Sequence, residues 1–357
     1  MRRALLAAVL VIGAVAFVAY VERGVIATRV MEAGLRRALT SDLATALPDG
    51  LSVVLCGAGS PMPDPERSGP CVAVIAGRSL VIVDVGAGSA RNLNRIGLRA
   101  GAIEAVFLTH FHSDHIDGLG ELAMNRWVGA AHTAPLPVFG PAGVDDVVQG
   151  FDAAYRLDAS YRTAHHGASV APPEGAGMAA HRFDAPGDGS ALDVWRQDDV
   201  RVSAFSVDHR PIVPAVGYRI DYRGRSVVIS GDTVKSAAVA RNAKGVDLLV
   251  HEALSRPLVA LIQRAAAEAG NAGLAKITQD IPGYHTTPVE AAEIARDAGV
   301  KALLLDHVVP PLRVPGIEAV FLDGVAEQFH GRVVLGRDGT LISLPAGSSE
   351  VIVSNRF

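Results

Sequence analysis

Three imidazoles and a carboxylate stand within one short segment, Thr109-His110-Phe111-His112-Ser113-Asp114-His115. Nitrogen and oxygen donors at spacings i, i+2, i+4 and i+5 are the set that a divalent metal of zinc's borderline softness binds. The segment follows the apolar run AIEAVFL and precedes a periodic stretch from Ile116 to Val128, so the spacing predicts a loop between a strand and a helix. A strand end aims the first pair of donors one way, and the turn into the helix aims Asp114 and His115 another. One such loop can serve two neighbouring metals.

Two coordination spheres need more donors than one loop holds. His209 closes SAFSVDH, Asp232 stands in Ser230-Gly231-Asp232-Thr233 after the run SVVI, and His307 closes ALLLD. Ionisable residues placed where apolar strands stop are where α/β enzymes gather functional groups. The predicted metal ligands are therefore His110, His112, Asp114, His115, His209, Asp232 and His307.

In order and context these motifs resemble the metallo-β-lactamase superfamily, and within it the branch of tRNA 3′-processing endonucleases (ribonuclease Z-like) and arylsulfatase-like hydrolases. The resemblance runs from about Leu55 to Pro310 and is carried by LCGAGSPMPDPERSGPC, VDVGAG, THFHSDHIDGL, VFGPAG, DHRPIVPAVGYRI, SGDT, HEA, HTTPVEAAEIARDAGV and LDHVVP. It implies an αββα sandwich around two zinc ions, with manganese or iron as alternatives at an aspartate-rich second site. His110, His112 and His209 would bind the first ion, Asp114, His115 and His307 the second, and Asp232 would bridge them. Asp114, Asp232 and His285, the first residue of HTTP, would be the catalytic residues, with His285 a substrate-facing acid outside the metal shell. Asp84 would orient the histidine loop, and Glu252 of HEA would orient His285 or a water. A metal pair lowers the pKa of a shared water and clamps a substrate oxygen, so the implied reaction is ester hydrolysis by a metal-bridging hydroxide, His285 protonating the leaving oxygen.

Strands and helices must position these donors. LSVVLCGAG, CVAVIAG, SLVIVDVGAG, VRVSAFSVDH, VGYRIDYRG, RSVVISGD, VDLLVHEA and KALLLDH read as buried strands. Helical spacing appears at Ala90 to Leu98, Ile116 to Val128, Pro257 to Ala269, Pro288 to Ala298 and near Glu318 to Phe329. The alternation predicts an α/β hydrolase domain over residues 51–357. From about 141 to 199 the rhythm loosens into Gly, Pro, Asp and His, and the stretch reads as an insertion. Its His165-His166 pair, with Trp127, Tyr155, Tyr161 and Trp195, would either reach over the site or form a small core of their own. The glycines Gly57, Gly59, Gly86 and Gly88 read as tight strand turns, since the spacing and the missing acidic partner exclude a dinucleotide fingerprint.

Arg2 and Arg3 precede an uncharged apolar run from Ala4 to Val21. A run of about 18 residues is at the short end of what spans a bilayer, so residues 1–24 read as one transmembrane anchor or a cleaved signal. Residues 25–50 read as an amphipathic stalk. By the positive-inside tendency the domain would then lie in the periplasm at a bacterial inner membrane, or be secreted. Cys56 and Cys71 flank a turn-rich segment; an oxidising compartment would let them pair, and two buried free thiols are the other reading.

At 49% hydrophobic and 20% charged residues the chain is globular rather than disordered. Its net charge of −4 gives no general attraction to phosphate backbones. Acidic residues outnumber basic ones between Pro141 and Asp199, and His209 to Asp232 holds only two strands and an Arg223-Gly224-Arg225 turn, with no room for a projecting basic arm. These points argue against nucleic acid as a partner and for a small or medium ester, an aryl sulfate or a phosphodiester, in the arylsulfatase-like manner. The alternatives are a tRNA 3′-processing endoribonuclease, a lactonase or carboxylic esterase, and a metal-binding module without turnover. The branch also makes a homodimer possible.

Overall fold

The computed structural model describes residues 2–40 and 42–357; Met1 and Ser41 lie outside the described residues. The chain divides into two units, Met1–Leu43 and Ala44–Phe357. The first contains α1 (Arg2–Val21) and α2 (Arg23–Thr40). The apolar part of α1, Leu5–Val21, bends by 71° into Arg23–Arg36. At ~1.5 Å per residue that part reaches about 26 Å, short of the ~30 Å hydrocarbon core. No single helix among the described residues is long and apolar enough to cross a membrane. The expected N-terminal transmembrane helix, and the membrane contact expected through it, are therefore not supported as a single helix; by length and composition only the bent pair Leu5–Val21 with Arg23–Arg36 passes together.

A single turn, α3 (Leu43–Ala46), leads to the strands of the second unit. The first sheet takes β1 (Gly50–Gly57), β2 (Cys71–Ala76), β3 (Ser79–Val83), β4 (Ile103–Phe107), β5 (Leu136–Gly140) and β6 (Met178–Arg182). The second takes β7 (Leu192–Gln197), β8 (Val200–Ser206), β9 (Val216–Tyr222), β10 (Arg225–Ile229), β11 (Leu248–Leu254), β12 (Ala302–Val309) and β13 (Arg332–Leu335). The last two strands, β14 (Thr340–Pro345) and β15 (Ile352–Asn355), return to the first sheet. The orders are β15-β14-β1-β2-β3-β4-β5-β6 and β13-β12-β11-β10-β9-β8-β7.

Most of these strands read as unbroken apolar runs because both of their faces are covered. Leu51, Val53 and Leu55 of β1 meet Val200, Val202, Tyr218 and Ile220 of β8 and β9 in one core between the sheets. Each such fully buried side chain contributes roughly 1.5–3 kcal/mol. On the outside, α4 (Ser89–Ile96) packs on β1, while α6 (Leu119–Ala130), which follows the short α5 (Ser113–Ile116), and α7 (Val144–His166) pack on β5. The other sheet is covered by α8 (Ala237–Asn242) and, beyond the paired α9 (Arg256–Glu268) and α10 (Ala272–Asp280), by α11 (Pro288–Ala298). Leu249, Leu303 and Leu305 meet Ala291, Ile294 and Ala295 there. The layering is the expected αββα sandwich.

The stretch with the loosened rhythm contains the 23-residue helix α7 and the edge strands β6 and β7, one in each sheet. Trp127 donates its indole N–H to the Pro172 carbonyl, and with Phe151 and Tyr155 it lines a small local cavity away from the predicted ligands. Trp195 meets Phe107 edge-on between the sheets at 6.0 Å. Cys56 and Cys71 form a disulfide that ties β1 to β2.

A candidate metal centre at the seam of the two sheets

β3, β4, β5 and β6 run parallel, as do β10, β11, β12 and β13. Their carboxyl ends therefore open a crevice, the usual place for a site in such sheets. The loop after β4 carries His110, His112, Asp114 and His115; β8 leads to His209 and β10 to Asp232, and β12 carries His307. Two cross-ties fix that loop to the other sheet. The Tyr218 hydroxyl of β9 donates to the Leu108 carbonyl at 2.6 Å, and the Val216 amide donates to the Thr109 carbonyl at 3.0 Å.

All seven predicted ligands come together. Donor atoms of His110, His112, His209 and Asp232 lie within 4.8 Å of one another, as do those of Asp114, His115 and His307. A third group joins Asp232, His285 and His307, so the structure places His285 beside the ligands. One oxygen, Asp232 Oδ2, lies 3.4 Å from Nε2 of His115 and His307, 3.9 Å from Nε2 of His110 and His209, and 4.0 Å from His285 Nδ1. Asp232 thus stands between the two sets of donors.

The histidine tautomers follow from what the outward nitrogens bond. His115 Nδ1 donates to Asp84 Oδ2 at 2.8 Å, and His209 Nδ1 donates to the Tyr284 carbonyl at 2.9 Å. Both rings turn Nε2 inward as a lone pair, the ligating form. Nε2 of His115, Nε2 of His209 and Oδ1 of Asp232 are buried without hydrogen-bond partners. Buried polar atoms left without partners are costly, and mixed nitrogen and carboxylate donors aimed at a common space are what divalent metals satisfy. The residues present fit two metal ions. Burial holds His110 well below the ordinary imidazole pKa and lowers His209 to about 4, which keeps both rings neutral for ligation.

Asp84 supports both sets of donors. Its Oδ1 accepts from the Thr109 amide at 2.8 Å, and Oδ2 accepts from the Thr109 hydroxyl at 2.7 Å as well as from His115. Thr109 Oγ1 lies 3.0 Å from His110 Nδ1, so one carboxylate steadies a ring in each group. Thr109 was not singled out from the sequence; its only signal there is its place directly before the first ligand. Asp84 and His307 both hold left-handed backbone, with φ of 56° and 42°. Such strain at non-glycine residues persists where the surroundings over-determine it.

His285 Nδ1 lies 3.2 Å from Glu252 Oε1, which also accepts from the Thr286 amide at 2.8 Å. Burial, with Asp232 nearby, pushes the Glu252 carboxyl well above its ordinary range. His285 does not cap α11: Thr287 does, in a capping box with Glu290. The remaining histidines stand apart. His165 and His166 are exposed in the last turn of α7, His132 Nε2 donates to the Gly101 carbonyl, His181 stacks on Phe139 and His330 is exposed.

A two-sheet αββα sandwich with a His/Asp cluster at its seam defines a hydrolase of the metallo-β-lactamase fold. Residues 81–308 match the family described as the Beta-lactamase superfamily domain. Ribonuclease Z of Mycobacterium avium is 38% identical over 300 residues, covering 84% of this chain and 100% of that protein. Ribonuclease Z of Mycobacterium bovis is also 38% identical, over 81% of this chain and 96% of its own length. Among solved structures, the short form of human tRNase Z (TM-score 0.60, 22% identity) and YhfI from Bacillus subtilis (0.58, 20%) each cover 82% of this chain and 99% of their own, and share the fold. The chain belongs to the β-lactamase superfamily and, within it, to the ribonuclease Z family. It is a metal-dependent hydrolase acting on ester bonds.

These relatives correct two expectations. Nucleic acid was set aside as a partner in favour of a small or medium ester, and the full-length match to proteins named ribonuclease Z overturns that choice. Charge misled because a net value of −4 is summed over the whole chain, whereas phosphate contacts depend on local groups at the crevice. The arylsulfatase-like reading finds no support among these relatives.

Proposed function

We propose that the chain is a two-zinc endoribonuclease of the tRNA 3′-processing type. The observation that carries this reading is the end-to-end match to ribonuclease Z of Mycobacterium avium, at 38% identity. In this reading His110, His112 and His209 would hold one zinc and Asp114, His115 and His307 the other, with the Asp232 carboxylate within reach of both sets of donors. Bound there, the metals would supply an activated water and a positive clamp on the phosphate. His285 protonates the leaving oxygen, as its ring stands beside the metal donors with Glu252 at its back. Asp84 and Thr109 fix the ligand rings so that little reorganisation accompanies catalysis.

The test is cleavage of a precursor tRNA bearing a 3′ trailer by the zinc-loaded full chain, beside Asp232→Ala and chelator-treated protein. Release of the trailer by the wild type alone is the expected result. A protein that binds two zinc ions yet leaves the precursor intact would overturn the reading.

A further inference from the structure

Among the described residues, Tyr284 is the one phenol ring that leans on both a donor of the first metal group and the acid beside it. Its ring centroid lies 5.3 Å from that of His209 and 5.1 Å from that of His285. It is only partly buried and belongs to none of the apolar clusters of the core. The residue before it is uncrowded: a Cβ built on Gly283 would meet nothing within 4 Å. A half-exposed tyrosine that packs on site histidines and joins none of the core clusters leaves part of its ring accessible to a ligand.

The turn that carries the ring is anchored on apolar side chains. The Tyr284 amide donates to the Ile281 carbonyl at 3.3 Å, closing a tight turn that brings the two residues together. Ile281 and Met62 both pack on Leu254, Val259 and Val309, a small cluster separate from the main cores. Aromatic and apolar groups beside a phosphate-cleaving centre are the chemistry that receives a nucleobase, since every base offers a flat π-face.

We propose that Tyr284 is the shelf on which the nucleobase next to the scissile phosphate stacks, on the leaving-group side faced by His285. This rests on the ribonuclease reading and adds a specificity residue to it. The His209 ring is held by the Tyr284 carbonyl and not by its side chain, so truncating the ring leaves that ligand's support in place.

The experiment measures binding of adenosine 5′-monophosphate and ribose 5-phosphate to the zinc-loaded full chain by calorimetry, in the wild type, Tyr284→Ala and Tyr284→Trp. Stacking of one base changes affinity by about tenfold or more, so the wild type should bind the nucleotide at least that much more tightly than the sugar phosphate. Tyr284→Ala should erase the difference while leaving sugar-phosphate affinity and zinc content unchanged, and Tyr284→Trp should restore it. Equal binding of both ligands by the wild type, or equal weakening of both by Tyr284→Ala, would overturn the proposal. Nucleotide preference without precursor cleavage would sink the ribonuclease reading and leave the shelf standing.

Discussion

Asp84 and His115 are joined by a 2.8 Å hydrogen bond that fixes the ring's tautomer, and the same carboxylate oxygen accepts from Thr109. Loss of a carboxylate that orients a metal-binding histidine typically costs about 10- to 100-fold in affinity or activity. Asp84→Ala should therefore weaken metal retention by about that factor while the sandwich still forms. Competition with a chromogenic chelator, read beside far-ultraviolet circular dichroism, checks it; unchanged metal affinity would remove Asp84 from the support of the site.

Gly86 follows from the same neighbourhood. A Cβ there would fall within contact distance of the Asp114 carbonyl oxygen and the Gly69 backbone, neither of which is a flexible side-chain end. The Gly86 amide also donates to the Pro70 carbonyl at 2.9 Å, so the two loops cannot part freely. Gly86→Ala should cost about 1–3 kcal/mol by overpacking and lower metal content in the group that includes Asp114. Denaturant unfolding with metal analysis of the folded fraction would show both effects, and a variant of wild-type stability would contradict this account.

His251 is fully buried on β11; its Nδ1 donates to the Glu252 carbonyl at 2.8 Å, and Nε2 has no partner. Burial lowers its pKa from 6.5 to about 4. Between those values the unfolded chain binds the proton and the folded chain does not, so stability is fully present above pH 6.5 and falls as pH drops toward 4. The loss from this one group is up to ~3 kcal/mol. His251→Leu should flatten the pH dependence of the urea midpoint between about pH 7 and 5. Parallel curves for variant and wild type would mean that this ring carries none of it.

The Cys56–Cys71 bridge spans a sequence separation of 15. Closing a loop of that size is worth about 3 kcal/mol in the chain-entropy model. Reduction, or the double variant Cys56→Ala/Cys71→Ala, should lower unfolding stability by about that amount. Titration of thiols in denaturant without reductant should find none free in the wild type, and two free thiols would refute the pairing.

The clustered donors were legible because most stand where an apolar run stops: the strands ending near His110, His209 and Asp232 announce themselves by composition, and the donors by type. Other parts lacked such a signal. Helix α7 buries only Val144 and Val148, and α10 only Thr278, so neither shows an apolar stripe at helical period. Thr109 and Tyr284 act through neighbours that only the fold supplies. The substrate misreading has a similar root, since composition reports how much charge a chain has and not where it lies. The 71° bend that follows the α1 run has no signature in a hydropathy pattern, which reports composition and not direction.

β14 pairs with β1, and His307 of the second donor group lies on β12, late in the chain. During synthesis, therefore, one edge of the opening strand waits for almost the last one, and a nascent polypeptide that stops before β12 lacks a donor of the second metal group. Truncated products would be inert rather than partly active, so the topology itself guards against premature cutting by an unfinished hydrolase.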